Sequence, residues 1–596
     1  MAIDHGLTTG FGPGGGPASG AGLASSISQR LQAAGRNWPF VVAVIILLFL
    51  VIVPLTLLLV SSFRTGTPGN LQDWTSSNYT RVFETPATFE ALGNTIVVAT
   101  VSTAISLFFA IIFAWLVERT DMPLRNLSWT ILLLPIAVPS ILFVLSWTVM
   151  LSPRAGLLNV LLRENLPFLA AEAGPFNLYG IGGIIFLDAV RGVTTIFLML
   201  VAAFRLFDPS LEEAAKVGGA NILQTLRRVT LPVLMPAILA AGMYSFISSM
   251  DQFEAALAVG LPGGVFLLST LVYFTVSLRI PVDYGAGAVY SVLFMAIMIL
   301  LVLAYRRIVR HSEQFATVSG KGYRPQRVSL GPWRYAAFAL VALFGMITVI
   351  LPMAVMAWLS LRPLHAVISL KSDVALTFKN YATLFADTEF SNVAWNTGWM
   401  TLATASCTMA LAFLVSWCIV RGSARGRGFL DGLTFIPYAF PGITIALAMI
   451  YVFLSPPFNM LPIYGSVAVL VVALMTQYIA FGTRLMNGAI VQVKAELEDA
   501  GNVAGAAPLA VMWRITLPLL VPAVVAGWIW VAANSMRSFS IPVILASRNN
   551  EVFASQIWSL WQIGRFSEAA AYGTMLVLIL LPMTLLLRWL MVRLGR

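Results

Sequence analysis

Residues 213–232 read EAAKVGGANILQTLRRVTLP, and residues 499–518 read DAGNVAGAAPLAVMWRITLP. In both, a glycine (Gly219, Gly505) stands six residues after the opening acid, and a Leu-Pro ends thirteen residues later at Pro232 or Pro518. The two stretches lie 286 residues apart, as do Ser249-Met250 and Ser535-Met536. Upstream, SNYTRVFETPATFEALGNT (77–95) parallels KNYATLFADTEFSNVAWNT (379–397), with Asn-Tyr preceding Asn-Thr by 16 residues in each. There the offset is 302, shared by Trp115 with Trp417 and by Pro135/Pro139 with Pro437/Pro441. The chain is the same unit twice, with 16 extra residues in the first copy between its third apolar run and the repeated loop.

Composition says what that unit is. Of 596 residues 59% are apolar and 10% charged, against about 25% charged in soluble domains. Runs long enough to cross a bilayer, about 20 residues, occur twelve times. They lie near 40–63, 92–117, 127–151, 182–205, 232–258 and 284–309, then near 334–361, 395–420, 428–454, 465–485, 518–545 and 570–593. The expected fold is an all-α polytopic membrane protein of about twelve transmembrane helices in two parallel six-helix repeats. Six spans separate the copies, so both start on one side, related by a pseudo-two-fold axis along the membrane normal.

With both termini cytoplasmic, 24 of the 36 Lys and Arg residues fall on the inner side, as the positive-inside rule requires. Residues 1–39, rich in Gly, Ala and Ser, read as a disordered cytoplasmic tail. The domains expected after it are a first transmembrane unit at 40–309, a polar, basic cytoplasmic linker at 310–333 and a second unit at 334–596.

Several functions are excluded or left without support. The net charge of +11 is scattered between apolar runs rather than gathered in a nucleic-acid patch. Cys407 and Cys418 share one apolar run, and His5, His311 and His365 lie far apart, so no metal site is expected. No G-x-x-x-x-G-K-[ST] occurs, and no catalytic triad or carboxylate pair stands out. No cofactor is therefore expected in this chain.

The repeated loop carries the closest resemblance. It is similar to the EAA motif of binding-protein-dependent ABC importer permeases: Glu-Ala-Ala, then the spaced glycine, then Leu-Pro. The resemblance covers both halves. It implies a type I importer permease fold and a short coupling helix in each loop that docks on a separate ATPase, the ATPase subunits forming a dimer. It also implies a periplasmic or lipid-anchored binding protein that delivers substrate. The coupling residues would be Glu213, Ala214, Ala215 and Gly219 in the first copy, and Asp499, Ala500, Gly501 and Gly505 in the second. The second copy departs from the pattern at Asp499 and Gly501, which implies asymmetric docking. Independently, Ser210 followed by Glu213 predicts a capping box starting a helix at Leu211. Gly219 is placed to end that helix, and Pro232 suits the first turn of the next span.

Fused permeases of this size resemble the ferric-iron subfamily, whose relatives carry thiamine, polyamines, sulfate or 2-aminoethylphosphonate. Residues 538–573 look most like its ferric-iron and aminoethylphosphonate members. The competing class is an ion-coupled secondary transporter of twelve spans, which would leave the duplicated loops unexplained. Ionisable groups inside spans are the pathway candidates. Asp188 and Arg191 lie three apart on one helical face, as an internal ion pair or as substrate contacts. Asp251 and Glu254 occupy the positions that Arg537 and Ser540 hold in the other half. They are expected to line the outer pathway or gate, or else to form a bridge between Asp251 and Arg537. The paired prolines shape either the path or the packing.

Overall fold

The computed structural model describes residues 38–166, 174–312, 327–363, 375–422 and 426–594. Residues 1–37 of the expected tail and most of the expected linker lie outside those residues, while Trp38 and Pro39, expected in the tail, already belong to the first span. Ten helices among them are long and apolar enough to cross a membrane. Span 1 is Trp38–Ser62, span 2 Pro86–Arg119, span 4 Ile181–Leu206, span 5 Ile222–Met250 and span 6 Tyr284–Arg307. Span 7 is Trp333–Ser360, span 8 Thr388–Arg421, span 10 Val467–Gln492 and span 11 Leu509–Arg537, while span 12 starts at Phe566.

Spans 3 and 9 are broken. Arg125–Ala137 meets Ser140–Leu151 at 95°, and Arg427–Ala439 meets Gly442–Leu454 at 110°. The paired prolines are the cause. A residue before proline is pushed out of the helical region, and Val138 and Phe440 are extended, with ψ of 119° and 118°. With these two the expected twelve spans are present.

Two expectations about spans 5 and 11 are corrected. Their helices stop at Met250 and Arg537 rather than reaching 258 and 545. They also begin well before the Leu-Pro, so Pro232 does not sit in a first turn. A proline inside an α-helix clashes with the carbonyl four residues back. Here a π-helical turn, Leu226–Thr230 or Met512–Thr516, immediately precedes Leu-Pro and carries the helix through it.

The residues after span 5 form a separate bent hairpin, Ala256–Gly263 and Leu268–Leu278, at 81°. Ser540–Leu545 and Phe553–Gln562 are its counterpart. These hairpins explain the repeated Asn-Thr. The Thr95 hydroxyl accepts the Leu268 N–H at 3.0 Å and Thr397 that of Phe553 at 3.0 Å. Asn94 donates to the Phe266 carbonyl at 3.2 Å and Asn396 to that of Glu551 at 3.1 Å. The repeated Asn-Tyr closes the other end. Asn78 donates to the carbonyls of Ser62 and Arg64 at 3.1 and 2.9 Å, and Asn380 to those of Ser360 and Arg362 at 2.7 and 2.6 Å. A β-hairpin, Arg64–Thr67 with Asn70–Trp74, adds a small sheet to the helical chain.

The halves interlock. The end of span 1, Val53–Ser62, packs on Gly442–Leu454 of span 9, and the end of span 7, Leu351–Ser360, packs on Ser140–Leu151 of span 3. Ser146 donates to the Pro352 carbonyl at 3.0 Å, sealing one of these crossings. The end of each first span therefore bridges the halves, packing on its own half's last span as well as on the other half's broken span.

Candidate functional site

Two features stand out: the helices in the repeated loops, and a polar cavity between the halves. The first loop helix is Ser210–Val217 and the second Ala495–Val503. The expected Ser210–Glu213 capping box does not form. Instead the Asp208 carboxylate accepts the Ser210 N–H at 2.9 Å, because the chain turns at Pro209, one residue earlier. That backbone bond holds the Asp208 carboxyl below its usual range. Both helices end as the glycines predict: Gly219 and Gly505 have φ of +83° and +82°. The Ala220 and Ala506 N–H groups reach back five residues, to Ala215 and Gly501, at 3.0 and 3.1 Å.

Of the expected coupling residues, Ala214, Asp499 and Ala500 are exposed, and Glu213, Ala215 and Gly501 are half-buried. Each helix also presents an apolar end to solvent, with Val217 91% and Val503 89% exposed. Gly501 has a steric reason: a Cβ there would lie 2.6 Å from Ile515 Cδ1.

The groups that anchor these helices are ones sequence reading passed over. Glu212 and Glu498, the residues just before the opening acids, are buried. Glu212 accepts from the Thr230 hydroxyl at 2.7 Å and faces Arg119 at 3.9 Å. Glu498 accepts from Thr516 at 2.9 Å and from Arg421 Nε at 3.1 Å. Arg119 and Arg421 end spans 2 and 8, and each also donates to the last carbonyls of the neighbouring span. Arg119 reaches Phe204 and Phe207 at 2.8 and 3.0 Å, and Arg421 reaches Ile490 and Val493 at 3.2 and 2.5 Å. Cations at a helix C-terminus satisfy its orphan carbonyls and dipole. One arginine thus ties together two spans and a loop helix. The threonine, at the π turn, adds span 5 or 11. The signal was present: these residues repeat at the same 302 and 286 offsets.

The cavity has a volume of about 370 Å³ and is lined by all five charged candidates, Asp188, Arg191, Asp251, Glu254 and Arg537. Four come from the first half and one from the second. Asp188 accepts from Ser249 and, at 3.1 Å, from Gln252. Glu254 accepts from Ser140 at 3.0 Å. Arg191 and Arg537 converge on the break in span 3, donating to the carbonyls of Val138 at 3.5 Å and Ile136 at 2.5 Å. The proline break exposes carbonyls that a continuous helix would have occupied, and the two arginines take them. Arg537 does so across the interface between halves. Next to the charges, Phe253 and Phe539, related by the 286 offset, meet with ring centroids 5.9 Å apart and are both fully buried. Phe253 packs on Tyr273 and Phe539 on Trp558, at 5.7 and 5.9 Å. The cavity therefore pairs mixed charge and hydroxyls with the Phe253–Phe539 contact, which Tyr273 and Trp558 back from behind the lining.

Known proteins are similar to this chain in sequence. The family described as "Binding-protein-dependent transport system inner membrane component" matches residues 102–317 and again 408–596. A ferric transport system permease protein of Actinobacillus pleuropneumoniae is 26% identical over 431 residues, 69% of this chain and 59% of that protein. A putative ferric transport system permease protein of Haemophilus influenzae is 26% identical over 461 residues, 76% of this chain and 69% of that protein. The chain thus spans about three fifths of the length of the first of these relatives. The crystal structure of a bacterial ABC transporter involved in alginate import shares 18% identity at a TM-score of 0.37, covering 44% of this chain and 96% of that one. The chain belongs to the family of binding-protein-dependent transport system inner membrane components, with the family's membrane domain present twice in one polypeptide.

Proposed function

We propose that this chain is the translocation subunit of an ABC importer in the bacterial cytoplasmic membrane, with both termini inside and ATP hydrolysed by a separate ATPase dimer. It carries no chemistry of its own. The observation that carries this reading is the pair of loop helices. Each is short, exposes an apolar end and is stopped by a left-handed glycine. Each is also bonded through one buried glutamate to spans that border the cavity. Closure of the ATPase dimer would draw the two helices together, and the arginine–glutamate–threonine anchors would pass that movement to spans 2, 4 and 5 and to spans 8, 10 and 11.

The cavity is the proposed passage for the cargo, delivered from the outer side by a periplasmic or lipid-anchored binding protein. The ferric transport relatives support ferric iron as that cargo, while 2-aminoethylphosphonate, thiamine or a polyamine would use the same machinery. The deciding measurement is uptake of radiolabelled ferric iron by iron-starved cells with and without the gene. Uptake that returns with the wild-type gene, but not with Gly219 and Gly505 both replaced by alanine, supports permease and cargo together. Uptake unchanged by deletion overturns the iron reading. An ATPase that co-purifies with wild type and is lost from the glycine variant separates an ABC permease from an ion-coupled transporter.

A further inference from the structure

The two arginines of the cavity are placed alike. Arg191, in span 4, and Arg537, at the end of span 11, donate to carbonyls only two residues apart in the break of span 3. A guanidinium carries five N–H donors, and among the described residues each of these makes one hydrogen bond. The bond from Arg537 is exposed and that from Arg191 half-buried, so both groups can be reached from the cavity they line.

Three carboxylates line the same cavity, yet among the described residues none forms an ion pair with either arginine. Asp188 is held by Ser249 and Gln252, Glu254 by Ser140, and Asp251 faces the Gly442 N–H. The charge of Arg537 acts on Arg191, and of the three acids only Glu254 acts on both arginines. Capping the broken helix does not require this pair of cations. Span 9 makes the same proline break, at 110°, and there Gln477 and Asp251 hold the positions that Arg191 and Arg537 hold at span 3, by the 286 offset. Two like charges converging in a polar cavity, each with donors to spare, suit an oxyanion, whose geometry the planar guanidinium fork matches.

We propose that Arg191 and Arg537 together bind an oxyanion group of the cargo, a carboxylate, phosphate or phosphonate. The inference rests on the cavity being the passage and names the chemistry that the passage recognises. The group belongs either to a zwitterion, whose cationic end faces Asp251 and Glu254, or to an oxygen ligand that accompanies a metal cation. One arginine comes from each half, so the bound oxyanion ties the halves together across the cavity.

The test uses the full chain in lipid nanodiscs and reads the binding of trifluoromethylphosphonate by fluorine NMR line broadening. It needs neither uptake nor ATP, so its failure leaves the permease reading standing. Saturable binding is expected. Arg191→Gln, a change that copies Gln477 of the other half, and Arg537→Gln should each weaken it about tenfold, the loss of one charge-assisted contact. Glu254→Gln keeps an acceptor for Ser140 and removes the charge that acts on both arginines. It should tighten binding about twofold, a gain that a damaged fold does not give. Competitors then identify the source of the oxyanion. Displacement by 2-aminoethylphosphonate at lower concentration than by ethylphosphonate assigns a zwitterion, and by ferric citrate at lower concentration than by citrate a metal complex. An advantage for neither overturns the proposal, as does the absence of saturable binding, unchanged binding in the arginine variants, or no gain with Glu254→Gln.

Discussion

Glu498→Gln is the most informative single change. The carboxylate is 8% exposed and accepts from Arg421 Nε at 3.1 Å and Thr516 at 2.9 Å. Glutamine keeps the shape and one acceptor oxygen but removes the charge. The loss is then the difference between a charge-assisted bond, about 1.5–3 kcal/mol, and a neutral one, about 0.5–1.5 kcal/mol. Stranding a fully buried charge costs about 3–5 kcal/mol, but Arg421 keeps the carbonyls of Ile490 and Val493. The expected cost is therefore ~1–2 kcal/mol. Glu212→Gln is expected to cost less, ~0.5–1 kcal/mol, since a charge facing Arg119 at 3.9 Å makes no hydrogen bond and gains only a reduced Coulomb term. The assay is reversible unfolding in mixed micelles, run as a double-mutant cycle with Arg421→Gln. A coupling energy of about 1 kcal/mol is expected. A cycle that closes within ~0.3 kcal/mol, the range of independent sites, would refute the anchor, as would a larger cost for Glu212→Gln than for Glu498→Gln.

Gly505→Ala forces a side chain into a left-handed φ of +82°, at a cost of ~1–2 kcal/mol; uptake should fall while the amount of protein inserted in the membrane stays constant. Gly501→Ala restores the alanine of the first copy yet places Cβ 2.6 Å from Ile515 Cδ1. It should destabilise by ~1 kcal/mol, with Ile515→Val recovering most of it in the same unfolding assay. Asp251→Arg combined with Arg537→Asp should not restore the uptake lost in either single variant, because Arg537 donates to the Ile136 carbonyl. Recovery in the double variant would mean that the two groups act only on each other.

The duplication was readable because its marks are backbone requirements. A glycine at positive φ and a proline that breaks a helix leave traces that no tertiary context rewrites. The five charged cavity residues were readable because charge within an apolar run is costly and needs a reason. What they do there was not. Asp188 and Arg191 share a helical face, but the carboxylate bonds to Ser249 and Gln252 on the neighbouring chain segment, and the arginine turns to the broken span. Local spacing cannot weigh such partners. Glu212 and Glu498 were hidden for a related reason: in a run of two acids on a short helix, only packing decides which one faces inward. The ends of spans 5 and 11 were misplaced because the apolar run continues into the bent hairpin. Hydropathy registers composition and is blind to the turn at Asp251–Glu254.

The uneven origin of the cavity charges bears on how the protein is put together. Three acids and one arginine come from the first half and one arginine from the second, a formal total of −1. Two copies of the first half would enclose −4, and two of the second +2. Neither self-pairing reproduces the lining. Joining the halves in one polypeptide removes that choice. Every molecule receives one copy of each at translation, so assembly stoichiometry is set before folding begins and no sorting between look-alike subunits is needed.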